Sequence, residues 1–165
     1  MKKETTPPTL RGAELARAAV NQILAHPESW QQSAWHSPCG TKHCFAGWCQ
    51  ILSGKPLNAD TSKQDAREAL GFSESDANWF FRSTASLGEL HALAANFDRD
   101  GFGRDGFGRD GFDRDGFDRD GFDRDGFGRA GFDRDGFDRA GKLVLKPFKI
   151  TKAARAALHK YGTTP

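Results

Sequence analysis

Apolar residues recur along this chain with two different spacings. From Leu10 to about Ala25 the spacing is helical, with Leu15, Ala16, Ala19, Val20 and Ile23 on one side and Arg11, Glu14, Arg17 and Asn21 on the other. Pro27 ends that helix, because its ring disfavours the α conformation at His26. A second helix is predicted from about His43 to Ser53, with Cys44, Phe45, Trp48, Cys49, Ile51 and Leu52 filling one arc and Gly54 as its stop. Ser62 with Asp65 opens a third, which closes at Gly71, and Ser73 with Asp76 opens a fourth that carries Trp79, Phe80 and Phe81. Ser86-Leu87-Gly88-Glu89 is a capping box, and it starts a helix through Leu90, Leu93 and Ala94. Residues 10–95 therefore read as a small bundle of short helices behind a flexible tail, residues 1–9.

The second spacing is five. Between residues 96 and 141 the chain writes Phe, Asp or Gly, Arg, Asp or Ala, Gly nine times over. In an α-helix this period would rotate successive Phe rings by about 140°, so no stripe forms. Each glycine inside such a helix would also cost about 1 kcal/mol relative to alanine. In a flat strand an odd period sends successive rings to opposite faces. What remains is a chain that turns once per pentad. One form is a β-solenoid with stacked Phe; the other is a partly disordered string of Asp-Gly turns, since one apolar residue in five is dilute. With a bulky residue at the centre of every pentad, the repeat resembles the pentapeptide-repeat family, which implies a square coil of four pentads. It departs from that family where a small inward residue is expected two places before the central one. Asp stands there at 100, 105, 110, 115, 120, 125 and 135, and stacked carboxylates would have to face outward.

Residues 142–165 follow as an extended segment, Leu143–Ile150, and a basic helix opened by Thr151. The fold expected is mainly α: a helical bundle, then a period-5 repeat (β-solenoid-like, or turn-rich and partly disordered), then a strand-helix segment.

Charge divides the chain unevenly. The net charge is +2, yet the repeat holds nine Arg against thirteen Asp, and six basic residues and no acidic one follow Gly141. No run of apolar residues is long enough to span a membrane, and three cysteines form no even disulfide framework, so a reducing, cytoplasmic setting is expected.

The candidate interaction surface is the repeat's aromatic and cationic series: Phe97, Arg99, Phe102, Arg104, Phe107, Arg109, Phe112, Arg114, Phe117, Arg119, Phe122, Arg124, Phe127, Arg129, Phe132, Arg134, Phe137 and Arg139. Such residues attract one another through cation–π contact, about 0.5–1 kcal/mol each when exposed. Candidate phosphate contacts are Lys146, Lys149, Lys152, Arg155 and Lys160. Nucleic acid is the less favoured partner, because Asp outnumbers Arg in the repeat and would repel phosphate. Cys39, Cys44 and Cys49 are read first as packed core thiols, then as a Cys39–Cys44 redox pair, and last, with His36 and His43, as metal ligands. Calcium is disfavoured because an Arg lies between each pair of carboxylates and the repeat has no Glu. His91 and His159 read as surface or satisfied histidines. Neither a cofactor nor a catalytic group is expected.

The run Trp35-His36-Ser37-Pro38-Cys39-Gly40-Thr41-Lys42-His43-Cys44-Phe45-Ala46-Gly47-Trp48, with Ala69-Leu70-Gly71-Phe72, Trp79-Phe80-Phe81 and Ser86-Leu87-Gly88-Glu89-Leu90, resembles a family of small uncharacterised helical proteins of bacteria and their phages. The resemblance implies a helical fold for residues 10–95 and nothing about activity. A non-enzymatic interaction or assembly protein is the expected function, with a protein partner or self-association; a nucleic-acid-associated accessory protein is the alternative.

Overall fold

The computed structural model describes residues 9–97, 118, 122–128 and 131–161. Among these residues six α-helices form: α1 (Gly12–Ala25), α2 (Phe45–Leu52), α3 (Ser62–Leu70), α4 (Glu74–Phe80), α5 (Leu87–Asn96) and α6 (Lys152–Tyr161). Among the described residues β pairing is limited to isolated bridges, so the protein is mainly α. The expected tail falls almost wholly on residues 1–8, outside those described.

Helix α1 is the hub. It packs against α2, α3, α5 and α6, and Ala16, Ala18 and Ala19 keep its surface narrow enough for those backbones to come close. Leu15, Val20 and Ile23 fill the spaces between, against Phe45, Trp48 and Leu52 of α2 and Leu90 and Leu93 of α5. Phe72 stacks on Phe97 at 5.7 Å and lies 5.6 Å from Phe80, which closes the core below α4.

The capping chemistry sets the helix starts. Ser73 with Asp76 and Ser86 with Glu89 both form complete capping boxes. Gly71 ends α3 with φ +74°, a conformation that favours glycine. Helix α2 begins two residues later than the periodicity suggests, because the Cys44 backbone is extended and its thiol accepts from the Gly47 amide at 3.4 Å. Thr61, not Ser62, stands at the cap position of α3, and Ser62 is buried.

The polar side of α1 is a correction to the sequence reading. Asn21 was expected outward; it is buried, and its amide forms a double clamp on the Phe148 backbone, donating to the carbonyl at 2.9 Å and accepting from the amide at 2.7 Å. Arg17 donates to the Ala94 carbonyl near the end of α5, and Thr151 donates to Glu14. Polar periodicity marks these residues correctly, but carries no sign of partners far along the chain. The segment Leu143–Ile150 forms no strand; apart from one bridge between Leu143 and Phe137 it is held by side chains, at Phe148 by Asn21 and at Lys146 by His91. Thr151 accepts from the Ala154 amide and so opens α6, whose Ala154 and Ala157 are buried.

Asn21→Ala would leave both Phe148 backbone groups without their partner at a part-buried site. Urea unfolding should show a loss of about 1–3 kcal/mol; a loss below about 0.5 kcal/mol would mean the clamp is not holding the C-terminal segment.

Candidate functional site

Each described pentad closes on itself. In the turn Asp123-Arg124-Asp125-Gly126 the Gly126 amide donates to the Asp123 carbonyl at 2.9 Å, and the Asp123 amide donates to the Phe127 carbonyl at 2.9 Å. Gly126 has φ +84°, the left-handed region that lets the chain leave the turn as a glycine bulge. The Asp123 side chain then accepts from the Asp125 and Phe127 amides, both at 2.9 Å. Asp133 and Asp138 repeat these bonds with their own amides two and four residues on. Where Gly128 replaces Asp, both backbone bonds persist without the side-chain cap. So in the described Asp-Arg-Asp-Gly turns the first Asp organises the turn, while the second, at 125 and 135, is exposed. The carboxylates at 100, 105, 110, 115 and 120 lie outside the described residues.

Contacts between pentads recur with a fixed spacing, an Arg meeting a Phe two pentads back and an Asp three pentads back. The Arg134 guanidinium stacks over Phe122 at 4.6 Å and pairs with Asp118. The same spacing returns one step on: Arg139 stacks over Phe127 at 4.5 Å and its Nη2 lies 3.9 Å from Asp123. In both cases an Arg covers a Phe and reaches the Asp that caps the same Phe's turn. A square coil would instead bring residues four pentads apart together.

The repeat is joined to the helical body at the start of α5. Arg134 pairs with Glu89, whose other oxygen lies 2.9 Å from Arg82, and the Ser86 hydroxyl donates to the Arg134 carbonyl. Gly88 makes this approach possible. A Cβ there would stand 2.1 Å from the Arg134 carbonyl oxygen. Phe132 packs edge-on against His91 at 5.3 Å, and His91 stacks on Phe148 at 4.3 Å.

The structure therefore sorts the candidate surface. Phe122 and Phe132 are buried, Phe97 and Phe127 are partly buried, and Arg134 and Arg139 are engaged within the repeat. Phe137 is 39% exposed. Arg124 is exposed. Arg99, Phe102, Arg104, Phe107, Arg109, Phe112, Arg114, Phe117, Arg119 and Arg129 lie outside the described residues. Lys146, Lys149, Lys152, Arg155 and Lys160 are all exposed, on the segment before α6 and along that helix.

Two histidine environments are buried. His91 is buried: its Nε2 donates to the Lys146 carbonyl at 2.8 Å, its Nδ1 is buried without a hydrogen bond, and burial holds its pKa down. His36 and His43 share one hydrogen bond between their Nδ1 atoms at 2.6 Å, and burial, with the neighbouring His36, lowers the His43 pKa to about 4. His36 Nε2 lies 2.7 Å from Gln50 Oε1 and 2.8 Å from Ser62 Oγ. Gln50 is oriented unambiguously, because its Oε1 accepts from the Asn58 amide and its Nε2 donates to the Asp65 carboxylate. His36 Nε2 faces that Oε1 and so carries a proton. It cannot act as a base toward Ser62, which is itself fully buried.

The cysteines separate as well. Cys44 and Cys49 are buried, and burial raises both pKa values. Cys39 is not a core thiol: it is exposed in the turn made by Ser37 and Gly40, with Ser37 Oγ at 3.2 Å and Thr41 Oγ1 at 2.9 Å. Those hydroxyls, Ser37 first, lower its pKa to about 7. Among the described residues no group of three or more His, Cys, Asp and Glu is placed to hold a metal ion.

No family model, no curated protein and no solved structure matches the chain. The two resemblances in the sequence rest on their motifs alone.

A thiol of lowered pKa reacts as thiolate over a lower pH range. Iodoacetamide labelling of the native chain should modify Cys39 alone, with a rate that rises through about pH 7 and levels above it. Cys44 and Cys49 should label only in denaturant. A rate still climbing steeply above pH 8, where an unperturbed thiol titrates at about 8.5, would contradict the turn geometry.

Proposed function

We propose that the chain is a non-enzymatic interaction or assembly protein whose helical body presents the pentad repeat to a partner. One observation carries the reading. The described turns are held by their first carboxylate, and the second, at Asp125 and Asp135, stays exposed at the corner of the turn. Among the described residues the Asp125 carboxylate has only a solvent-exposed approach to Arg139 at 3.8 Å, worth little. A repeat held from within can offer its corners to another protein at no cost to its own turns.

A second reading has its own support. Lys149, Lys152 and Arg155 are exposed near the start of α6, in a stretch where no acidic residue follows Gly141. Such a face suits phosphate, and single-stranded DNA bound there should be released as salt rises.

The double variant Asp125→Asn, Asp135→Asn separates the two. Retained on a resin and exposed to lysate of the source cell, the full chain should hold a protein that the variant holds about tenfold less, while both unfold at the same urea concentration. Equal retention by both chains, or retention of nucleic acid alone, would sink the first reading.

A further inference from the structure

The repeat contains a seat for a guanidinium that no arginine among the described residues fills. Twice, the same pair of groups receives an arginine: Asp118 with Phe122 holds Arg134, and Asp123 with Phe127 holds Arg139. In each, one Asp oxygen accepts from the amide of that Phe at 2.9 Å, and the other oxygen faces the guanidinium. Asp133 with Phe137 is built alike. The Asp133 amide donates to the Phe137 carbonyl at 2.8 Å, and Asp133 Oδ1 accepts from the Phe137 amide at 2.9 Å.

The occupant is missing for a reason that lies in the sequence. Both filled seats take the Arg twelve residues after the Phe. Twelve residues after Phe137 is Lys149, beyond the last pentad, on the segment that Asn21 ties to α1. Phe132, whose arginine would also fall beyond the repeat, has Gly128 in place of the Asp and is covered by His91 instead. Phe137 is left 39% exposed beside Leu143, which is 60% exposed and bridged to it. Phe122, under its arginine, is fully buried.

We propose that the Asp133–Phe137 seat, with Leu143 at its edge, receives an arginine side chain from the pentad repeat of a second copy of this chain. The occupant is chosen by the chemistry already present: a planar cation that covers a phenyl face while bonding the carboxylate beside it. The repeat carries nine arginines, of which Arg134 and Arg139 already fill seats of their own chain. A lysine would satisfy the charge but cannot stack in the same way. The contact joins two different surfaces, so it links copies head to tail or pairs them through two reciprocal seats. It rests on the interaction reading above and names that reading's partner.

Sedimentation velocity of the full chain over a concentration series tests it. The wild type should shift to larger species as concentration rises. Phe137→Ala, and separately Asp133→Asn, which keeps the oxygen that caps the turn, should each weaken association about tenfold. Leu57→Ala, which removes another exposed leucine, should leave association unchanged. Arginine amide should compete more strongly than lysine amide at equal ionic strength. A chain monomeric at every concentration overturns the proposal, as does a Phe137→Ala variant that associates like wild type or a Leu57→Ala variant as weakened as Phe137→Ala. If that monomer still retains a lysate protein through Asp125 and Asp135, only the self-association is lost and the broader reading stands.

Discussion

Glu89 is almost wholly buried, and three groups share its carboxylate: the Ser86 amide at 2.8 Å, Arg82 and Arg134. An isolated buried carboxylate would cost several kcal/mol, and these three partners offset that cost. The same group thus closes the capping box of α5 and anchors the repeat. Arg134 passes the connection on, since it also covers Phe122 and pairs with Asp118. Helix start, junction and inter-pentad contact meet in one salt-bridged cluster, with Gly88 giving the backbones room to approach.

The repeat has a stability problem of its own. One Phe in five residues buries too little apolar surface to offset backbone ordering unless the polar groups help. They do so locally, because an Asp side chain bonded to two amides fixes a turn within five residues, at about 0.5–1.5 kcal/mol per bond. They also do so at a distance, where an arginine shields a ring twelve residues back. Aspartate and arginine are therefore structural in the described pentads, and what they leave over is a set of exposed corners and one uncovered ring.

Much of the helical body is legible in the sequence because its signals are local. Ser73 with Asp76, Ser86 with Glu89 and Gly71 act within one turn of the backbone they cap, and each stands where the pattern puts it. Asn21, Glu14 and Arg17 are not legible, because a polar residue reads the same whether it meets water or a backbone brought from far along the chain. Cys39, read as a core thiol, is exposed for the same reason: burial and exposure are properties of the assembled fold. In the repeat, the period excludes helix and flat strand. The division of labour between the two aspartates was also present in the sequence, as an Asp placed two and four residues before amides it can cap. The reach of an Arg to a ring two pentads back and an Asp three back has no such local sign.

Native-state hydrogen exchange over residues 122–141 tests the central claim, that these pentads are an ordered element held by their own side chains. The amides of Asp123, Phe127, Asp133 and Phe137, each bonded within the repeat, should exchange at least about a hundredfold more slowly than in the unfolded chain. Exchange of those amides at the unfolded rate, while those of α1 stay protected, would contradict it.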